Sequence, residues 1–268
     1  MTMALYDDPT LYEILRPVDT TLLRSILRLL ELHATGPIES VLDPACGPGS
    51  WLLQFAKRGM RVAGNDSSEV MCRRAAELLA TYPHEIVCGD MRSVVVASGP
   101  FDLAVEVSGV ACELTHEGLR THLQSVSDNL RLGGIYIVNL LGASADVLPE
   151  LPYLQFSEVS SHGPTETRIS YWIEEHSSSP EAVSMRRDIH RSGTLQLQDK
   201  YKLSLYGMSE VSSIVPATLS MMMPENRWDE IEFPRQPSSF LRETLYTLRK
   251  TSANNSETCQ VMEEASDR

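Results

Sequence analysis

Between Val18 and Leu32 the apolar residues Leu22, Leu23, Ile26, Leu27 and Leu30 recur at helical spacing, which predicts an amphipathic helix packed on a core. Pro17 stands just before it, where a missing amide proton costs little. From residue 38 the pattern becomes short apolar runs separated by helical stretches. Ile38 to Leu42, Arg61 to Gly64, Glu85 to Cys88 and Phe101 to Val107 read as strands, with helices over Ser50 to Arg58 and Ser68 to Ala80. A further helix from about Glu117 carries Leu119, Leu123, Val126 and Leu130; Gly133 and Gly134 break it, and Ile135 to Leu140 forms a fifth strand. Apolar strands alternating with helices predict an α/β fold, a parallel sheet covered on both faces.

After Leu151 the period drops to two. Ile169, Tyr171 and Ile173 alternate with Arg168, Ser170 and Trp172, and Leu195, Leu197, Tyr201, Leu203 and Leu205 keep two-residue spacing, with Val183 to His190 between the two runs. These are expected to be antiparallel strands with one wet face, ending at Gly207 and followed by a short helix over Met208 to Val215. Phe240 to Leu248 reads as a terminal strand of the main sheet, and the polar stretch Thr251 to Arg268 as a disordered tail. The chain thus divides into an N-terminal helical entrance segment (1–35), an α/β domain (36–150 and 208–250), an antiparallel insertion (151–207) and the tail (251–268).

Composition narrows the chemistry. A formal charge of -13 repels phosphate backbones and disfavours nucleic acid as a partner. No apolar run is long enough to span a bilayer, and Met1 to Pro17 lacks the basic start and apolar block of a secretory signal, so a cytoplasmic protein is expected, as monomer or homodimer. The five cysteines form no CxxC pair and have no partner at zinc-ligand spacing, so reduced thiols and no metal site are expected.

The run Val41-Leu42-Asp43-Pro44-Ala45-Cys46-Gly47-Pro48-Gly49 puts an acid at the end of a buried strand and two glycines in the turn before a helix. Glycine suits a place where a ligand lies against the backbone, although a tight strand-to-helix turn alone also uses it. Asp66 closes the second strand, where a carboxylate can accept from both hydroxyls of a ribose, and Gly89-Asp90-Met91 follows the third. Three such loops meet at the carboxyl edge of the sheet, where ligands of open α/β sheets bind. A nicotinamide fingerprint misses its third glycine, because Leu52 stands three residues after Gly49, and a phosphate loop misses its lysine.

From about Ser40 to Leu140 the chain resembles the class I S-adenosylmethionine-dependent methyltransferases. Asp43, Cys46, Gly47 and Gly49 match the family's first motif, with Ala45 in place of its first glycine; Ser68 and Met71 match the Ser-x-x-Met that ends the second. Phe101 to Val107 resembles the fourth motif, and Leu130-Arg131-Leu132-Gly133-Gly134 the Leu-Arg-Pro-Gly-Gly turn. The resemblance implies a Rossmann-like, mostly parallel seven-stranded sheet with helices on both faces, and S-adenosylmethionine as cofactor. It also implies that Asp43 and the backbone near Ala45 and Gly47 hold the amino-acid portion, Asp66 the ribose, and Asp90 the adenine amino group with Met91 against the ring, with Gly49, Ser67, Met71 and Glu106 also among the cofactor-binding residues.

The inserted strands resemble the lid that small-molecule methyltransferases place over the acceptor, and Leu5 to Tyr12 their entrance segment. Acceptor contacts are accordingly expected at Tyr6, Tyr12, Ser108, Asn139, Tyr171 and Tyr201, with Glu106 and Tyr6 as catalytic groups. The implied activity is methyl transfer to the nitrogen or oxygen of a small organic molecule; the alternative is a non-catalytic methyltransferase-like partner subunit or binding scaffold.

Overall fold

The computed structural model describes residues 5–143, 155–160, 166–178, 181–222 and 241–252. Five parallel strands, β1 (Ser40–Asp43), β2 (Arg61–Asp66), β3 (His84–Cys88), β4 (Phe101–Glu106) and β5 (Leu130–Ala143), are extended by β10 (Leu219–Met221) and β11 (Leu241–Lys250). The seven-stranded sheet runs in the order β3-β2-β1-β4-β5-β11-β10, with β11 antiparallel to both its neighbours. The order reverses between β1 and β4, so the crevice outside their carboxyl ends is where a ligand of such a sheet sits.

Strand alternation feeds two cores. Val41, Val62, Leu103, Val105, Ile135 and Ile137 face the helices α2 (Thr20–His33), α3 (Ser50–Ala56) and α4 (Glu69–Leu79), burying Ile26, Phe55 and Leu79. Leu42, Ala63, Ala104, Tyr136 and Val138 point the other way, toward Leu119, Leu123 and Val126 of α5 (His116–Asn129). That second core continues under α1 (Pro9–Leu15) and α6 (Met208–Ile214), and into a separate antiparallel sheet. This sheet orders β6 (Gln155–Ser160), β7 (Thr167–Ser178), β8 (Glu181–Arg191) and β9 (Thr194–Ser204) in sequence. Its inner face buries Ile169, Ile173, Val183, Met185, Ile189 and Leu197.

Several elements differ from the sequence reading. The insertion has four strands, because β6 pairs on the outer side of β7, and β10 is a strand of only three residues. β5 starts at Leu130, directly after α5, and pairs Leu130 with Phe101 before a register shift; Gly133, at φ 76, takes the irregular step. At the opposite end from the crevice, Asp102 accepts hydrogen bonds from the amides of Glu39 (3.0 Å) and Ser40 (2.9 Å) and from Arg131 Nε (2.5 Å), tying the starts of β1, β4 and β5 together. The tail expected over 251–268 lies outside the described residues from position 253 onward. Among the described residues no helix is long and apolar enough to cross a membrane.

Candidate functional site

Acidic residues stand at the carboxyl ends of four adjacent strands. Asp43, 4% exposed, accepts from the Ala45 amide at 3.0 Å; burial, and then the charges of Glu106 and Asp66, push its carboxyl well above the usual range. Asp66 divides its two oxygens between loops, accepting from Gly47 N at 2.8 Å and from Ser68 N at 2.9 Å. Its pKa is raised by burial, against the pull of those two amides. The side chain of Asn65, 1% exposed, donates to the carbonyls of Pro44 and Gly89, both at 3.0 Å. One buried amide therefore holds the loops after β1, β2 and β3 in register.

The turn after β1 requires its glycines. Gly47 and Gly49 have φ of 52° and 83°, and a Cβ on Gly49 would lie 3.0 Å from Cβ of Ala75 on α4. Asp90 caps the 3-10 turn Met91–Ser93, accepting from the Arg92 amide at 2.8 Å. The Arg92 guanidinium, with Nη2 at 2.5 Å, and then that amide lower Asp90 to about 2. Met91 and Ala45 keep partly exposed surface and Ser67 is exposed, whereas Met71 is fully buried and seats α4 beneath the site.

Glu106 is 1% exposed and turned into its own loop. Its carboxylate accepts from the amides of Ser108 (2.9 Å), Val110 (3.3 Å) and Ala111 (3.3 Å), and burial outweighs them, pushing it up to about 7. Ser108 is left exposed at the tip and is hydrogen-bonded to the Tyr12 hydroxyl. The Tyr12 ring lies over Gly47, 3.6 Å from where a Cβ would be, and its phenol is raised by burial to about 12. Asn139 on β5 is 3% exposed and donates to the Val107 carbonyl at 3.5 Å.

The entrance segment ties these parts together. Tyr6 donates its hydroxyl to Glu113 at 2.5 Å, while its carbonyl accepts from Ser68 Oγ at 2.9 Å. Its ring stands 6.1 Å from that of Tyr12. Arg74 on α4 binds Glu13 of α1 at 2.9 Å, and Ser160 of β6 donates to the Ile14 carbonyl at 2.9 Å. Arg16 donates to the Tyr171 hydroxyl at 2.9 Å, so the buried Tyr171 joins the inserted sheet to the entrance helix.

Two residues outside the sequence-derived set belong here. Glu113 is an exposed carboxylate on the turn after β4, and Arg187 is a buried guanidinium, 6% exposed, on the otherwise apolar inner face of β8. Arg187 donates Nε to Asp199 at 3.0 Å and Nη2 to its other oxygen, and lies 4.9 Å from the ring centre of Tyr201. Two-residue alternation through Val183, Met185, Arg187 and Ile189 was the available signal. Arg187→Ala is expected to cost about 3 kcal/mol, because Asp199 loses its counter-charge in a half-buried place. The pair Arg187→Met with Asp199→Leu should recover most of that. Chemical denaturation of wild type and the two variants measures it, and equal stability of single and double variants would remove the pair from the account.

Residues 41–134 match the model of a methyltransferase domain. Among solved structures, the chain is similar to the sugar N-methyltransferase KedS8 from Streptoalloteichus sp ATCC 53650, with TM-score 0.70, 16% identity, and coverage of 94% of this chain and 96% of that one. The S-adenosylmethionine-bound amino pentose methyltransferase CalS10 from Micromonospora echinaspora gives TM-score 0.65 at 16% identity, covering 94% and 98%. DesVI from Streptomyces venezuelae gives 0.67 at 20% identity, covering 94% and 100%. No curated protein sequence matches.

Proposed function

Since the chain has the class I S-adenosylmethionine-dependent methyltransferase fold, with an antiparallel lid, we propose that it transfers a methyl group from that cofactor to the nitrogen or oxygen of a small organic acceptor. The observation that carries this reading is the set of carboxylates at consecutive strand ends around a glycine turn. Asp43, Asp66 and Asp90 are acceptors, and the cofactor's amino group, ribose hydroxyls and adenine amino group are donors. The turn at Gly47 has no Cβ, and the Tyr12 ring lies 3.6 Å from where one would be. The residues present therefore fit the group.

In this reading Asp43 with the backbone of Ala45 and Gly47 holds the amino-acid end, Asp66 and Ser67 the ribose, and Asp90 and Met91 the adenine. The sulfonium supplies an already activated methyl group, so the protein's task is to place the acceptor in line with it and exclude water. Tyr12, Ser108 and Asn139 border that place, and Tyr6, bound to Glu113, closes it from the entrance side. Glu106 shapes the loop that carries Ser108 and adds negative charge near a cationic ligand. The sugar N-methyltransferase and amino pentose methyltransferase among the structural relatives favour an amine-bearing acceptor.

Calorimetry with S-adenosylhomocysteine, followed by methyl-label transfer to paired amino and hydroxy sugars, tests both levels. Cofactor-product binding and label on an amino member are expected. Absence of binding rejects the cofactor assignment, and binding without transfer to any acceptor favours the scaffold reading. Tyr6→Phe loosens the closed entrance and is expected to slow transfer about tenfold or more with cofactor-product affinity nearly unchanged. Equal loss of both would move Tyr6 out of the acceptor side.

A further inference from the structure

The inner face of α5 carries His122 between Leu119, Leu123 and Val126, fully buried, where an aliphatic side chain would pack at no electrostatic cost. Both ring nitrogens are engaged: Nδ1 lies 2.8 Å from the Met91 carbonyl and Nε2 lies 2.7 Å from the hydroxyl of Tyr136, itself fully buried on β5. A carbonyl can only accept, so the proton is on Nδ1, and Nε2 accepts from the phenol. Burial pushes the imidazole down to about 4, so this neutral tautomer persists at neutral pH. The same helix face holds the other end of the turn after β3. Ser125 Oγ accepts from the Val94 amide at 2.8 Å, and Asn129 Nδ2 donates to the Val94 carbonyl at 3.1 Å. His122, Ser125 and Asn129, spaced along one helix face, clamp residues 91–94 at both ends.

We propose that His122 is a positioning residue for base recognition: by fixing the Met91 carbonyl it sets the pose of the neighbouring Asp90 carboxylate, and so lets the protein prefer a 6-amino purine over a 6-keto one. The inference rests on the reading that the cofactor's adenine lies against Asp90 and Met91. An amino group donates to a carboxylate and a keto oxygen repels it, but only if the carboxylate is held at the purine edge. Asp90 is held by the half-exposed Arg92 side chain and by the Arg92 amide at 2.8 Å, and that amide shares one peptide plane with the Met91 carbonyl, so restraining the carbonyl restrains the group that orients the carboxylate. The buried chain from Tyr136 through His122 to Met91 supplies that restraint from the core.

The test compares S-adenosylhomocysteine with S-inosylhomocysteine by calorimetry on wild type, His122→Asn, His122→Gln and His122→Phe, with thermal unfolding measured alongside. The asparagine amide nitrogen overlays Nδ1 and keeps the bond to Met91; the glutamine amide overlays Nε2 and keeps only the tyrosine. Wild type and the Asn variant are expected to prefer the adenosine form to similar degrees, and the Gln and Phe variants to lose about fivefold or more of that preference. The preference ratio is insensitive to a general loss of stability, which weakens both ligands alike. Equal ratios for the Asn and Gln variants, or a wild type that binds both forms equally, overturn the inference. A wild type that binds neither overturns the cofactor reading on which it stands.

Discussion

Asp66→Ala is expected to weaken S-adenosylhomocysteine binding roughly a hundredfold, the largest effect foreseen for any cofactor-side residue. Each charge-assisted hydrogen bond to a ribose hydroxyl is worth about 1.5–3 kcal/mol in gross terms, and Asp66 is assigned two of them. The same carboxylate accepts from Gly47 N and Ser68 N, so alanine also releases the glycine turn from the loop after β2. Asp66→Asn separates the two effects. Its carbonyl oxygen can serve only one of the two amides, and its NH2 group faces a donor, so turn geometry and ribose binding should both suffer, though less than in alanine. Calorimetry on both variants, with melting temperatures as control, reads the result. Unchanged affinity in Asp66→Ala would remove the ribose from this residue.

What the sequence made legible follows from which features are local. β1, β2 and β4 each end in an acid, and their apolar runs are bounded on both sides, so strands and loop order can be read directly. β10 has three residues and no room for a period, and in β6 the apolar residues Phe156 and Val159 stand three apart, which is not a two-residue alternation. Glu106 shows another limit. An acid at a strand end suggests an open catalytic group, but its surroundings depend on residues 108–111 folding back to present their amides, a property of the path of the loop. Arg187 and His122 were hidden for a third reason: each occupies a buried register in an apolar pattern, where hydrophobic periodicity passes over a polar residue. Their roles come from partners far along the chain, Tyr201 and Asp199 for one, Met91 and Tyr136 for the other.

Glu106→Gln is expected to flatten the pH dependence of stability, because the wild-type carboxyl is raised from 4.5 to about 7 by burial. A raised acid binds its proton more tightly in the folded state, so its contribution is fully present below the unfolded value and is lost as pH rises through the folded one. For this shift the loss between about pH 5 and pH 8 is on the order of 2–3 kcal/mol. Asp43 and Asp66, also raised by burial, add slope of the same sign; the Asp66 share persists in the variant, and Asp43 keeps the share due to burial while losing the part that the Glu106 charge adds. His122 acts oppositely: lowered to about 4, it removes stability as pH falls below its usual 6.5, so the acid limb should bend downward in both proteins. The difference between wild type and Glu106→Gln in denaturant midpoints across this range therefore reads Glu106 together with the part of the Asp43 shift that its charge causes. Ligand binding extends the argument, since a positively charged sulfonium beside the loop favours the ionised carboxylate. Saturating S-adenosylmethionine should then reduce the wild-type slope toward that of the variant, while the uncharged thioether of S-adenosylhomocysteine should reduce it less. Parallel slopes in wild type and variant would mean that Glu106 is already ionised at neutral pH in the folded protein, with its three amides outweighing its burial.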